Sequence, residues 1–312
     1  MVSPCKREVA MPDRRRFLAQ SLALAGLAMT SSPARAATAL ATRAIPADGR
    51  RLPVVGLGTW QTFDVGADAA WRANLGRVLA RFAELGGTVV DSSPMYGSAE
   101  SVVGELAAAQ GLRERLFLAT KVWTQGRAEG IAQMEESLRR LHSPRIELMQ
   151  VHNLADWRTH LPVLRAWKAE GRIRYVGITH YSAGAHAEVE RVLRSEALDF
   201  LQINYSLLEP ESAQRLLPLA AERGVAVISN RPFAEGALFG RVRGRALPAE
   251  AAAHGCRSWA QVFLRWVLAH PAVTCAIPAS DKLEHLEDNM SAGLVPLPEP
   301  AEQKALARLA GF

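Results

Sequence analysis

No glycine-rich phosphate loop follows the first apolar strand of this chain, no linker interrupts it, and no low-complexity tract or fixed-period repeat runs through it. These absences argue against an open doubly wound sheet, a multidomain string or a solenoid, and leave one closed core. At 312 residues and 49% hydrophobic content, the chain is long enough to bury a large one. Cysteine is scarce: Cys5 lies near the N-terminus, and Cys256 and Cys275 show no metal-ligand spacing. The last two read either as a disulfide, in an oxidising compartment, or as two small buried hydrophobes. Nucleic acid is not an expected partner. Most of the net charge of +6 sits in residues 1–36, where Lys6, Arg7, Arg14, Arg15, Arg16 and Arg35 face only Glu8 and Asp13.

What is there begins with a three-part leader. A basic stretch ends in Arg14-Arg15-Arg16-Phe17-Leu18, an apolar run covers 17–29, and Ala34-Arg35-Ala36 has the small-residue form of a cleavage site. The apolar run falls short of the roughly 20 residues of a spanning helix. The twin arginines with Phe17 and Leu18 resemble the twin-arginine export signal, whose machinery moves folded proteins. The expectation is a signal over 1–36, a periplasmic or secreted mature protein and no stable membrane span after cleavage. An uncleaved anchor is the alternative.

Residues 37–312 read as one domain. Asp48-Gly49 between two short extended runs predicts a β-hairpin. An apolar strand at 54–60 is followed by apolar residues at helical spacing from Trp71 to Leu85, stopped by Gly86-Gly87. Further strands are expected at 89–91, 116–121, 148–152, 175–179, 201–204, 226–229 and 274–277, with helical patterns between them. Eight strands alternating with helices over about 250 residues predict a closed (β/α)8 barrel behind a short N-terminal β-hairpin. The excursion at 230–247 is either a lid or an ordinary surface segment.

In such a barrel the carboxyl ends of the strands share one mouth. Asp91 ends the second strand and Tyr96 follows on its loop; Lys121 ends the third, His152 the fourth, Thr179 and His180 the fifth, and Gln202 lies on the sixth. A tyrosine is a poor acid at neutral pH, but a neighbouring ammonium favours its phenolate. Lys121 is expected to lower the Tyr96 pKa, with Asp91 holding Lys121. Tyr96 can then give a proton to a carbonyl oxygen that His152 also holds, while a hydride reaches the carbon from elsewhere.

These settings, Asp91-Ser92-Ser93-Pro94-Met95-Tyr96-Gly97, Thr120-Lys121-Val122-Trp123 and Gln150-Val151-His152-Asn153, resemble the aldo/keto reductase family over roughly 54–289. The resemblance implies a barrel that binds NADPH in extended form and passes hydride to a small aldehyde or ketone. Tyr96 would be the acid, Lys121 and Asp91 its tuning pair, and His152 the group that orients the substrate. It places Gly58 and Thr59 at the cofactor, Trp60 and Trp123 at the substrate, and Gln202 at the carboxamide, with Thr179 and His180 where a Ser-Asn pair is usual. Asn230, Pro232 and Phe233 fall on the loop where an aromatic usually stacks on nicotinamide. Ser280, His285, Asp288 and Asn289 fall at the adenosine end. Ala279 and His285 replace the usual Lys and Arg at the 2′-phosphate, so NADH is expected to be accepted beside NADPH. Two readings compete with a reductase. One is a non-catalytic nucleotide-sensing module of the same fold. The other is a barrel glycosidase, for which the mouth offers no second acid.

Overall fold

The computed structural model describes residues 1–3, 40–294 and 296–312, so the leader expected over 1–36 lies almost wholly outside the described residues. Residues 38–312 form one compact unit. It opens with the predicted hairpin, β1 (Thr42–Ala44) paired antiparallel with β2 (Arg51–Pro53). Eight parallel strands follow: β3 (Leu57–Gly58), β4 (Val89–Asp91), β5 (Phe117–Val122), β6 (Ile146–His152), β7 (Ile173–Thr179), β8 (Phe200–Asn204), β9 (Ala226–Asn230) and β10 (Val273–Ala276).

The sheet closes on itself. Gly56 N donates to Ala276 O at 2.8 Å, Ala276 N to Val54 O at 2.9 Å and Gly58 N to Pro278 O at 3.1 Å. The first strand thus pairs with β4 through Leu57 and Gly58, and with the last strand through single bridges at Val55 and Gly58. Gly58 is required at this seam, because a Cβ there would lie 2.9 Å from the Ile277 carbonyl oxygen. The (β/α)8 architecture is the one expected from the alternation of patterns.

Helices α1 (Ala69–Glu84), α2 (Ala99–Ala109), α3 (Arg127–Arg140), α4 (Trp157–Ala169), α5 (His186–Ser195) and α6 (Ser212–Glu222) pack outside the strands, followed by α7 (Ala237–Arg241), α8 (Trp259–Leu268), α9 (Leu283–Ser291) and α10 (Gln303–Ala310). Helix α1 starts where Asp68 accepts from Ala70 N and Trp71 N, both at 3.0 Å, and buries Leu75, Val78, Leu79 and Phe82. Trp71 stands outside that stripe and is 46% exposed. The excursion at 230–247 is anchored: Leu238 and Val242 are buried, Phe239 packs 5.5 Å from Phe263, and Arg245 donates to the Leu309 and Ala310 carbonyls. Cys256 and Cys275 are buried free thiols, so the hydrophobe reading holds and the disulfide does not.

Two cores result. The larger lies between strands and helices. The smaller fills the lower barrel with Val89, Phe117, Leu148, Tyr175 and Phe200 above Ile45 and Leu52 of the hairpin segment. Tyr175 donates to Asp48 Oδ2 at 2.6 Å, which ties that plug to the hairpin. One end of the barrel is thereby filled by buried side chains, and the carboxyl ends of the strands form the other.

Candidate active site

Successive residues of a strand face opposite ways, and that alternation decides which side chains reach the open mouth. Past the apolar plug, the next inward positions are polar. Asp91 follows Val89, Lys121 follows Ala119, Gln150 and His152 follow Leu148, Thr179 follows Tyr175 beyond Gly177, and Gln202 follows Phe200.

Lys121 and Asp91 form a fully buried ion pair, with Nζ donating to Asp91 Oδ2 at 2.7 Å and to the Ser92 carbonyl at 2.7 Å. The other carboxylate oxygen accepts from Gln202 Nε2 at 2.8 Å and Gln150 Nε2 at 3.2 Å. A buried pair survives only when its remaining hydrogen-bonding capacity is met, and these amides meet it. Gln202 is thus engaged within the wall: its Oε1 also accepts from Thr179 Oγ1 at 3.2 Å.

Tyr96 is held on the loop between β4 and α2. Its N–H donates to the Ser93 carbonyl at 3.0 Å, and Gly97 at φ 56° reverses the chain beside Asp64, which accepts from Ser98 N and Oγ, both at 2.8 Å. A Cβ on Gly97 would run into the Asp64 carboxylate. The Lys121 ammonium lies 4.9 Å from the Tyr96 ring centre. The expected lowering of the phenol pKa is not what results. Burial raises it, and with the help of the Asp91 charge outweighs the pull of Lys121. Tyr96 therefore keeps its proton at neutral pH. Burial also opposes the charge on Lys121, but Asp91 and Tyr96 more than offset it, and the ammonium is held above its ordinary range.

His152 stands edge-on to Tyr96, the ring centres 5.9 Å apart at 85°, with Trp123 at 6.3 Å. Its Nδ1 is 3.1 Å from Ser93 Oγ. Burial, then the charges of Lys121 and His180, lowers its pKa to about 2, so the ring is neutral throughout the physiological range.

These groups open into a cavity of about 630 Å³. Of the residues expected in the site, Gly58, Thr59, Trp60, Asp91, Tyr96, Trp123, His152, Thr179, Gln202, Asn230, Pro232 and Phe233 line it, with Lys121 directly behind. Trp60 and Trp123 are 40% and 44% exposed on its rim. Gln133 clasps the Trp123 backbone, accepting from its N–H at 2.6 Å and donating to its carbonyl at 3.2 Å.

The remaining expected residues stand apart from this cavity. His180 Nδ1 accepts from Tyr181 N and Ser182 N and so caps its own turn. Asn289 Nδ2 donates to Ser280 Oγ at 2.9 Å. Asp288 accepts from Ser258 Oγ and Gln261 Nε2, each at 2.6 Å, which engages both of its oxygens with the start of α8. His285 is exposed and lies 3.8 Å from Glu284. Ala279 does reach the cavity and brings no charge to it.

Several lining residues carried no sequence signal of their own. Arg231 and Glu235 both line it and, like Ala234, adopt left-handed backbone after β9, a strained conformation for residues other than glycine. Arg231 donates to the Tyr181 carbonyl at 3.0 Å and pairs with Glu235 at 3.4 Å and Glu209 at 3.5 Å, joining three loops at the rim. Gln150 was findable, since it precedes His152 by two residues on the inward face.

The model for the Aldo/keto reductase family matches residues 54–305. Methylglyoxal reductase YeaE of Escherichia coli (strain K12) is 33% identical over 246 residues, which span 76% of this chain and 84% of that protein. An aldo/keto reductase from Klebsiella pneumoniae, solved in complex with NADP and acetate, is similar at 30% identity and a TM-score of 0.69, covering 84% of this chain and 93% of that one. A second structure from that organism, in complex with NADPH, is 29% identical with a TM-score of 0.71, covering 87% and 96%.

Proposed function

The chain belongs to the aldo/keto reductase family, and from that premise we propose that it reduces small aldehydes or ketones, with NADPH as hydride donor and NADH accepted in its place. One observation carries the reading: a protonated Tyr96 lies between a buried Lys121–Asp91 pair and a neutral His152, all at one cavity. The residues present fit a nicotinamide ring. Asn230 presents a buried Oδ1 with no hydrogen-bond partner in the cavity wall, an acceptor for a carboxamide N–H. When bound, the cofactor supplies the hydride that the protein's own side chains lack.

The side chains handle the proton. As negative charge grows on the substrate oxygen, Tyr96 donates its phenolic proton to it, and the Lys121 ammonium stabilises the phenolate left behind. Asp91, fixed by Gln150 and Gln202, keeps Lys121 charged and in place. His152 holds the same oxygen by a hydrogen bond and, being neutral, does not compete as the acid. Trp60 and Trp123 shield the reacting carbonyl from water. Assay of the purified protein against a panel of small aldehydes and ketones, methylglyoxal among them because a relative is named for it, tests this reading. It expects loss of reduced-nicotinamide absorbance with at least one, and consumption with none would sink it.

The leader supports export by the twin-arginine machinery, with the protein folded and loaded before it crosses, into the periplasm or the medium. An intact mass of the exported protein that still includes residues 17–29 would rule out cleavage after Ala36.

A further inference from the structure

Ser93 sits between Asp91 and Tyr96, fully buried, where a turn residue would ordinarily need only to be small. Its Oγ lies 3.1 Å from His152 Nδ1 and receives the Met95 N–H at 3.4 Å. Among the described residues its hydroxyl proton has one acceptor, that same Nδ1, and Nδ1 has no other partner. A buried hydroxyl wants its proton matched. If Nδ1 carried the imidazole proton it would donate to Ser93, and the hydroxyl proton would be left unmatched. If Ser93 donates instead, every group in the chain from Met95 N to Nδ1 is satisfied.

We infer that Ser93 is a positioning residue that selects the tautomer of His152, donating to Nδ1 so that the ring turns Nε2–H toward the cavity. The inference rests on the reading of His152 as the group that meets the substrate oxygen. It also gives a reason for a hydroxyl at this place. A neutral imidazole has two tautomers, and one of them would turn a lone pair toward the substrate oxygen and repel it. Because burial keeps the ring from charging, the choice cannot be made by protonating both nitrogens. A neighbour has to make it, and Ser93 is that neighbour. The oxygen then receives two hydrogen bonds: one from Tyr96 that transfers its proton and one from His152 that does not.

The test is ¹⁵N spectroscopy of histidine-labelled holoprotein, with His152 assigned by the signal missing in His152→Gln. In the unaltered protein, Nδ1 is expected bare and Nε2 protonated across the neutral range. Ser93→Ala should mix the tautomers and lower kcat roughly tenfold, the size of one neutral hydrogen bond, without moving the nucleotide dissociation constant, and Ser93→Thr should restore both. Protonated Nδ1 in the unaltered protein overturns the inference, as does a Ser93→Ala variant whose spectrum and kcat are unchanged. The spectrum of the unaltered protein needs no turnover and no variant beyond the His152→Gln used for assignment. It therefore decides the role of Ser93 independently of the carbonyl-reduction assay.

Discussion

Lys121 Nζ lies 2.7 Å from Asp91 Oδ2, and neither side chain has appreciable contact with solvent. The pair is a structural commitment whatever its chemistry, since removing one partner strands the other in a low-dielectric interior.

Lys121→Met should cost about 3 kcal/mol of stability and nearly all turnover, because it leaves the Asp91 carboxylate with only neutral amides to hold it. Adding Asp91→Asn is expected to recover part of the stability and none of the activity. Thermal denaturation of both variants beside the parent checks this, and a double variant no more stable than Lys121→Met would count against it.

Tyr96→Phe should lower kcat by about 100-fold or more, the usual worth of a positioned acid, with nucleotide binding by fluorescence nearly unchanged. Because burial raises the phenol pKa, the reductive rate should stay level through neutral pH and fall only above the ordinary tyrosine value. A rate that declines between pH 6 and 8 would assign the proton to another group.

His152 makes stability depend on pH with a definite sign. Its folded pKa of about 2 lies below the ordinary value of 6.5, so the unfolded chain binds the extra proton first as the pH falls. The stabilisation from keeping this ring neutral is complete above 6.5 and is lost progressively below it, at about 1 kcal/mol per pH unit. Denaturant titrations of the parent and His152→Gln should therefore converge as the pH is lowered from 7 toward 4. Parallel curves would mean that the ring titrates normally in the fold.

Nucleotide choice should be weak. With Ala279 at the cavity and His285 exposed beside Glu284, the 2′-phosphate meets no arginine fork, and NADPH and NADH should bind within roughly tenfold of each other. Ala279→Lys is expected to shift the ratio toward NADPH. A hundredfold preference in the unaltered protein would show that other groups grip the phosphate.

The strand ends were legible because strands buried on both faces read as apolar runs, and a charged residue closing such a run marks the mouth. Asp91, Lys121 and His152 stood out for that reason, and Cys256 and Cys275 read as buried hydrophobes among their neighbours. The direction of the Tyr96 pKa was not legible: it is set by a contest between burial and charge that only coordinates can weigh. Asp288 was expected at the adenosine end, yet its partners Ser258 and Gln261 lie 30 and 27 residues away. Trp71 fitted the helical spacing but sits ahead of the buried stripe, in the first turn of α1. Ser93 carried no signal of its own, because nothing local in the sequence points it at an imidazole 59 positions later.

The inward and outward alternation of the strands also sets which insertions and deletions this protein tolerates. One residue inserted between Phe117 and Lys121 would send the lysine out among the helices and bring Thr120 inward in its place. Two would restore its direction but carry the ammonium about 6–7 Å along the strand, beyond the reach of Asp91. Length variation between relatives should therefore gather in the connecting loops and stop at the strands, whose residue count is as much a part of the candidate site as the side chains they carry.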